Sequence, residues 1–187
     1  MGILKEDMRG GSILVVAGTN RPNAVSKAVG SYCVEVLQDM GYDVSLLSLE
    51  VLSDDFIGKA LYGNQGKDSA FNKLSCRIEK ASKLVFVVPQ YNGSFPGVLK
   101  TFIDGLKVGK RDEGQLFRGK KCALVGVSRG YQGNILGLSH FSDIVSYLGM
   151  AVFPMKLYLS GIQTPIIAEY GKYMDRIKEQ MGGFVTF

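Results

Sequence analysis

Short, wholly apolar runs alternate along this chain with longer stretches whose apolar positions recur every three or four residues. Residues 13–17 (Ile-Leu-Val-Val-Ala) carry no polar side chain, which predicts a strand buried on both faces. A helix is predicted from Ser26, as its N-cap, to about Met40, with Ala28, Val29, Tyr32, Val36 and Met40 along one side and Gly41 as its stop. Residues 42–49 read as a second strand through Val44, Leu46 and Leu47. Residues 53–68, with Gly58, Gly63 and Gly66, read as an irregular excursion holding at most a short helix. Residues 69–81 place Phe71, Leu74 and Ile78 on one helical face.

Residues 84–88 form the third apolar run. They are followed by a helix over 97–106, started by a proline, with Val98, Phe102 and Leu106 along one side. A charged connection over 107–119 leads to a fourth strand at 121–127, and a helix over 138–148 ends at Gly149. Residues 150–154 give a fifth strand, which 156–159 could extend, and 166–181 a closing helix with Met174 and Ile177 inward. Five alternations of strand and helix define an α/β fold: a three-layer sandwich with helices on both faces of a five-stranded, mostly parallel sheet joined by right-handed crossovers. The simplest order is 2-1-3-4-5, which sets the carboxyl ends of strands one and three side by side at a topological switch point. Residues 1–187 are expected to form a single domain, with 1–11 as a flexible tail.

Three polar loops follow strands one, three and four. Gly18-Thr19-Asn20-Arg21-Pro22-Asn23-Ala24-Val25-Ser26 matches neither GxGxxG nor GxxxxGK[ST]. It does bring hydroxyls, amides and free N–H groups to the positive end of a helix, where an anion is favoured and Arg21 could bond a phosphate oxygen. An ordinary strand–helix turn with a capping serine is the alternative. In the second loop, residues 89–97, Pro89 and Pro96 restrict the backbone while Gly93 and Gly97 permit positive φ or close approach by a ligand. The N–H groups of Asn92 and Gly93 could face a flat heterocycle; otherwise Tyr91 and Phe95 merely pack. In the third loop, residues 128–134, the glycines would let backbone amides reach a ring edge, and Tyr131 could cover a ring or rest on the surface. Loops converging at a switch point suit a phosphorylated ring cofactor.

Composition narrows the chemistry. A single histidine, His140, excludes most metal and Ser/His/Asp mechanisms and reads as a polar residue near a helix start. No metal site is expected. Cys33, Cys76 and Cys122 have no CxxC spacing and read as buried small hydrophobes in a reducing cytoplasm. No apolar stretch suffices to cross a bilayer, and no signal peptide is visible. The net charge is +5, but the basic residues are scattered. The densest group, Lys107, Lys110, Arg111, Arg118, Lys120 and Lys121, is interrupted by Asp112 and Glu113. It reads as a solvated loop that could at most help attract a polyanionic dinucleotide, and no nucleic-acid-binding motif accompanies it.

The first loop resembles the G-S-x-R-x-x-S phosphate loop of the NAD(P)H-dependent FMN reductases, which have a flavodoxin-like fold. Pro89-Gln90-Tyr91-Asn92-Gly93-Ser94-Phe95-Pro96-Gly97-Val98-Leu99-Lys100-Thr101-Phe102-Ile103-Asp104 is similar to that family's P-E-Y-N-x-S-x-P-G-x-L-K-N-x-x-D signature. The resemblance spans about residues 13–154 and implies FMN as cofactor with NADPH or NADH as hydride donor. By that likeness Thr19, Arg21 and Ser26 hold the phosphate. Pro89, Gln90, Tyr91, Asn92 and Gly93 belong to the isoalloxazine loop, and Ser128, Gly130 and Gly133 approach the pyrimidine edge. It further implies a cytoplasmic homodimer or homotetramer passing electrons to free flavin, a quinone or another small acceptor. No catalytic side chain is needed, because the cofactor carries the chemistry. Thr19 stands where the family has Ser and keeps the hydroxyl; Gln90 stands where it has Glu and removes a charge. The alternative is a flavodoxin-like electron carrier without NAD(P)H oxidation. Such carriers are commonly acidic, whereas this chain has a pI of about 9.0.

Overall fold

The computed structural model describes residues 11–61, 67–108, 116–162 and 170–187. Its strands are β1 (Ile13–Ala17), β2 (Val44–Ser48), β3 (Lys83–Pro89), β4 (Lys121–Val127), β5 (Ala151–Val152) and β6 (Leu157–Leu159). Its helices are α1 (Val25–Asp39), α2 (Phe56–Ala60), α3 (Ser69–Lys80), α4 (Gly97–Val108), α5 (Ile135–Tyr147) and α6 (Tyr170–Thr186). The sheet order is β2-β1-β3-β4-β5, all parallel, with β6 also on β4. This is the expected doubly wound sheet. The first residues of the expected tail, part of the excursion at 62–66, most of the charged connection and the start of the closing helix lie outside the described residues.

The apolar strands are buried on both faces because alternate side chains feed two separate cores. Leu14, Val16, Leu84, Phe86 and Val88 point to one side and pack under α3, α4 and α5 with Phe71, Ile78, Phe102 and Phe141. Ile13, Val15, Val85 and Val87 point to the other and pack under α1 and α6 with Val29, Val36, Leu37, Ile177 and Phe184. Phe86 meets Phe141 edge-on, with ring centroids 5.1 Å apart. Each such side chain stabilises the fold by about 1.5–3 kcal/mol, and together they hold the strand ends, and the loops they carry, in fixed register.

Three sequence expectations change in detail. The fifth strand is split: Val152 pairs with Cys122 but Leu157 pairs with Val125, so the edge strand carries two extra residues around Pro154. Proline has no N–H for the ladder. The buried Gln180 of α6 fills the gap, donating through Nε2 to the Leu124 carbonyl at 3.1 Å and the Met155 carbonyl at 2.9 Å. Lys120 and Lys121 are not part of a solvated loop. Lys120 Nζ donates to the Glu79 carbonyl at 2.8 Å and to that of Ala81, and Lys121 Nζ donates to the Phe187 carbonyl and lies over its ring. With Lys83, bonded to the Val185 carbonyl at 2.7 Å, they satisfy the ends of α3 and α6. They lie at the amino ends of β3 and β4, away from the loops, while Lys110 and Arg111 of the same charged group lie outside the described residues. Finally, Cys76 is exposed, whereas Cys33 and Cys122 are buried as expected.

Candidate functional site

The carboxyl ends of β1 and β3 adjoin, and Gly18 N–H closes the pair by donating to the Val87 carbonyl at 2.9 Å. All three polar loops meet there around a cavity of about 740 Å³, within the range of small-ligand sites. Arg21 and Ser26 from the first loop, Pro89, Gln90, Tyr91, Asn92 and Gly93 from the second, and Ser128 and Gly130 from the third form its wall. Thr19 and Gly133 do not line it. Asn23, one of the first loop's amides, lines it as well, and sequence reasoning missed Val127, Arg129 and Ile162, which also do. Ile162 follows β6 and carries no local signal; only the sheet order brings it here.

Ser26 is not the N-cap of α1. Ala24 is, with extended backbone and no capping side chain. Ser26 instead sits inside the first turn, 1% exposed, and its Oγ has no hydrogen-bond partner among the described residues. A buried hydroxyl left unsatisfied is costly and unusual. Beside the free N–H groups of a helix start it fits an external anion such as a phosphate. The approach to α1 is fixed from outside. Asn23 adopts φ +53°, and the Glu50 carboxylate accepts from its backbone N–H and from Lys27 Nζ at 2.6 Å. The Lys27 bond holds the Glu50 carboxyl below its ordinary range, ahead of the Asn23 bond.

The second loop is a miniature hairpin. Tyr91 N–H donates to the Ser94 carbonyl at 2.8 Å and Ser94 N–H returns to Tyr91 at 3.0 Å. Asn92 (φ +49°) and Gly93 (φ +81°) take the positive φ that a type I′ turn requires. Gly97 does not share that role; it opens α4. The hairpin is joined to the first loop through Tyr91 Oη and Thr19 Oγ1, 2.8 Å apart. Thr19 Oγ1 also accepts the Arg21 backbone N–H at 3.2 Å.

The third loop is wound about Ser128. Its Oγ donates to the Gly130 carbonyl at 2.8 Å and accepts from Gly133 N–H at 2.9 Å. Gly133, with φ +56°, presses on Tyr158 behind the loop rather than approaching the cavity. Asn134, missed in the sequence, is buried with φ +67° and donates through Nδ2 to the Val88 and Pro89 carbonyls at 3.1 and 3.2 Å. It thereby braces the third loop against the second. Tyr131 is 99% exposed and covers nothing within the chain.

Two guanidinium side chains and no carboxylate belong to the residues of the wall. Burial pushes the thiols of Cys33 and Cys122 up to about 12, so neither is a thiolate nucleophile at neutral pH. His140 lies exposed on α5, its ring 5.2 Å from that of Phe95. No cluster of three or more potential metal ligands occurs among the described residues.

A parallel sheet of this order, with a polar cavity at the β1–β3 switch point, defines a protein of flavodoxin-like fold. Residues 12–164 match the model of the family described as NADPH-dependent FMN reductase, and the chain belongs to that family. It is 30% identical over 148 residues to a 2-hydroxy-1,4-benzoquinone reductase of a Burkholderia species, covering 75% of this chain and 73% of that protein. It is 27% identical over 177 residues to a quinone reductase of Pseudomonas putida, covering 93% and 90%. Among solved structures it resembles FerB, a flavoenzyme NAD(P)H:(acceptor) oxidoreductase from Paracoccus denitrificans. That likeness has a TM-score of 0.69 at 19% identity and covers 94% of this chain and 99% of the other.

Proposed function

We propose that the whole chain acts as one FMN-binding unit, an NAD(P)H-dependent reductase that passes electrons to a quinone or another small acceptor. The observation that carries the site assignment is Ser26 Oγ, buried and unpartnered at the start of α1 in the same cavity wall as Arg21 and the Tyr91–Ser94 turn. Bound FMN supplies hydride acceptance and release, which no side chain here could provide. Ser26, Arg21 and the first-turn N–H groups of α1 hold the phosphate. The N–H groups of Asn92 and Gly93, fixed by the type I′ turn, meet the ring and favour negative charge that develops on it. Asn134 and Ser128 keep the loops in register and need no proton transfer of their own. A quinone acceptor rests on the relatives named as quinone reductases.

No helix among the described residues is long and apolar enough to cross a membrane. A cytoplasmic location is supported by three cysteines without a disulfide. Ile135 and Leu136, adjacent and exposed at the start of α5, offer an apolar contact for a homodimer or homotetramer. Anaerobic mixing of the FMN-loaded protein with NADPH or NADH tests the activity. Flavin absorbance is expected to bleach with at least one of them and to return on adding benzoquinone. A flavin that stays oxidised with both donors would leave an electron carrier.

A further inference from the structure

The contact between Thr19 and Tyr91 joins two loops 72 residues apart, and its direction follows from counting protons. A threonine hydroxyl has one proton and two lone pairs, and a tyrosine hydroxyl likewise donates once. One lone pair of Thr19 Oγ1 is taken by the Arg21 N–H. If Tyr91 donated to Thr19, the Thr19 proton would be left without an acceptor in a residue 1% exposed. If Thr19 donates to Tyr91, the buried Thr19 hydroxyl is satisfied as donor and acceptor, and the remaining proton belongs to Tyr91, which forms part of the cavity wall.

We infer that Arg21 N–H, Thr19 O–H and Tyr91 O–H form a one-way hydrogen-bond chain whose last proton is offered into the cavity at its phosphate end. Each donor in such a chain polarises the next. Tyr91, which the sequence places on the ring-binding loop, is thereby a phosphate-binding group. Thr19, outside the wall, is a positioning residue that acts through Tyr91 rather than a direct ligand. The inference rests on the proposed placement of the flavin phosphate at the first loop.

Apoprotein affinities for FMN and riboflavin, measured by fluorescence quenching, test it. Tyr91→Phe and Thr19→Val are each expected to weaken FMN about tenfold, the worth of one hydrogen bond to a charged group, while riboflavin is unchanged. The double variant is expected to be no worse than either single one, and Thr19→Ser to bind as the wild type does. Equal losses for FMN and riboflavin, additive losses in the double variant, or failure of Thr19→Ser to bind normally would overturn it. A wild type without preference for FMN over riboflavin would overturn the phosphate assignment itself, and the chain's end point with it.

Discussion

Gly126→Ala is expected to destabilise the protein by about 3 kcal/mol, the upper part of the usual range for overpacking, and to lower its midpoint by about 6–12 °C. Gly126 lies in the interior strand β4, between β3 and the edge strands β5 and β6, and an added Cβ would meet the Gly133 carbonyl oxygen at 2.1 Å and Leu138 Cδ1 at 3.0 Å. The first obstacle is backbone, and it belongs to the loop wound around Ser128. Relief requires that loop to lift, which breaks the Ser128–Gly133 bond and the Asn134 brace to Val88 and Pro89. Weaker FMN uptake should accompany the loss of stability. Gly130→Ala is the matched control. It lies in the same loop with nothing within 4 Å of its Cβ position, so its effect should stay within about 0.5 kcal/mol. Denaturant midpoints of both variants check the pair; an alanine tolerated at Gly126 would mean that the third loop does not rest on β4.

Arg21→Ala is expected to weaken FMN by about ten- to hundredfold, the worth of a charge-assisted bond, and to leave riboflavin nearly untouched. The side chain is exposed in the cavity wall and has no side-chain partner among the described residues, so stability should not change. Ser26→Ala should lose the same selectivity by a smaller factor. Because its hydroxyl is already unsatisfied in the protein, the apoprotein should be no less stable without it. Isothermal titration with both ligands, alongside thermal melts, separates these effects. Equal losses for the two flavins would remove Arg21 from the phosphate.

The strands were legible because a double-sided core demands unbroken apolar runs, as at 13–17 and 84–88. Helix periodicity and the Gly41 and Gly149 stops were equally local signals, and both glycines do take positive φ. Roles set by distant neighbours were not legible. Ser26 has the composition of a cap, but a cap and an anion ligand look alike until the partner of the hydroxyl is known. Thr19 was assigned to the phosphate, yet its nearest hydroxyl partner lies 72 residues away on Tyr91. Gly133 looked like a ligand-facing glycine and is a packing one, while Gly126, read only as part of a strand, carries the tighter constraint. Gln180 and Pro154 reveal their relation only through the split edge strand. Lys120 and Lys121 looked like surface charge until α3 and α6 were seen to end beside them.

Titration of the apoprotein with FMN, and separately with riboflavin, tests most directly whether the three loops enclose one singly phosphorylated flavin. One FMN per chain is predicted, with riboflavin bound at least about tenfold more weakly. Absence of FMN binding, or equal affinity for the two, would contradict it.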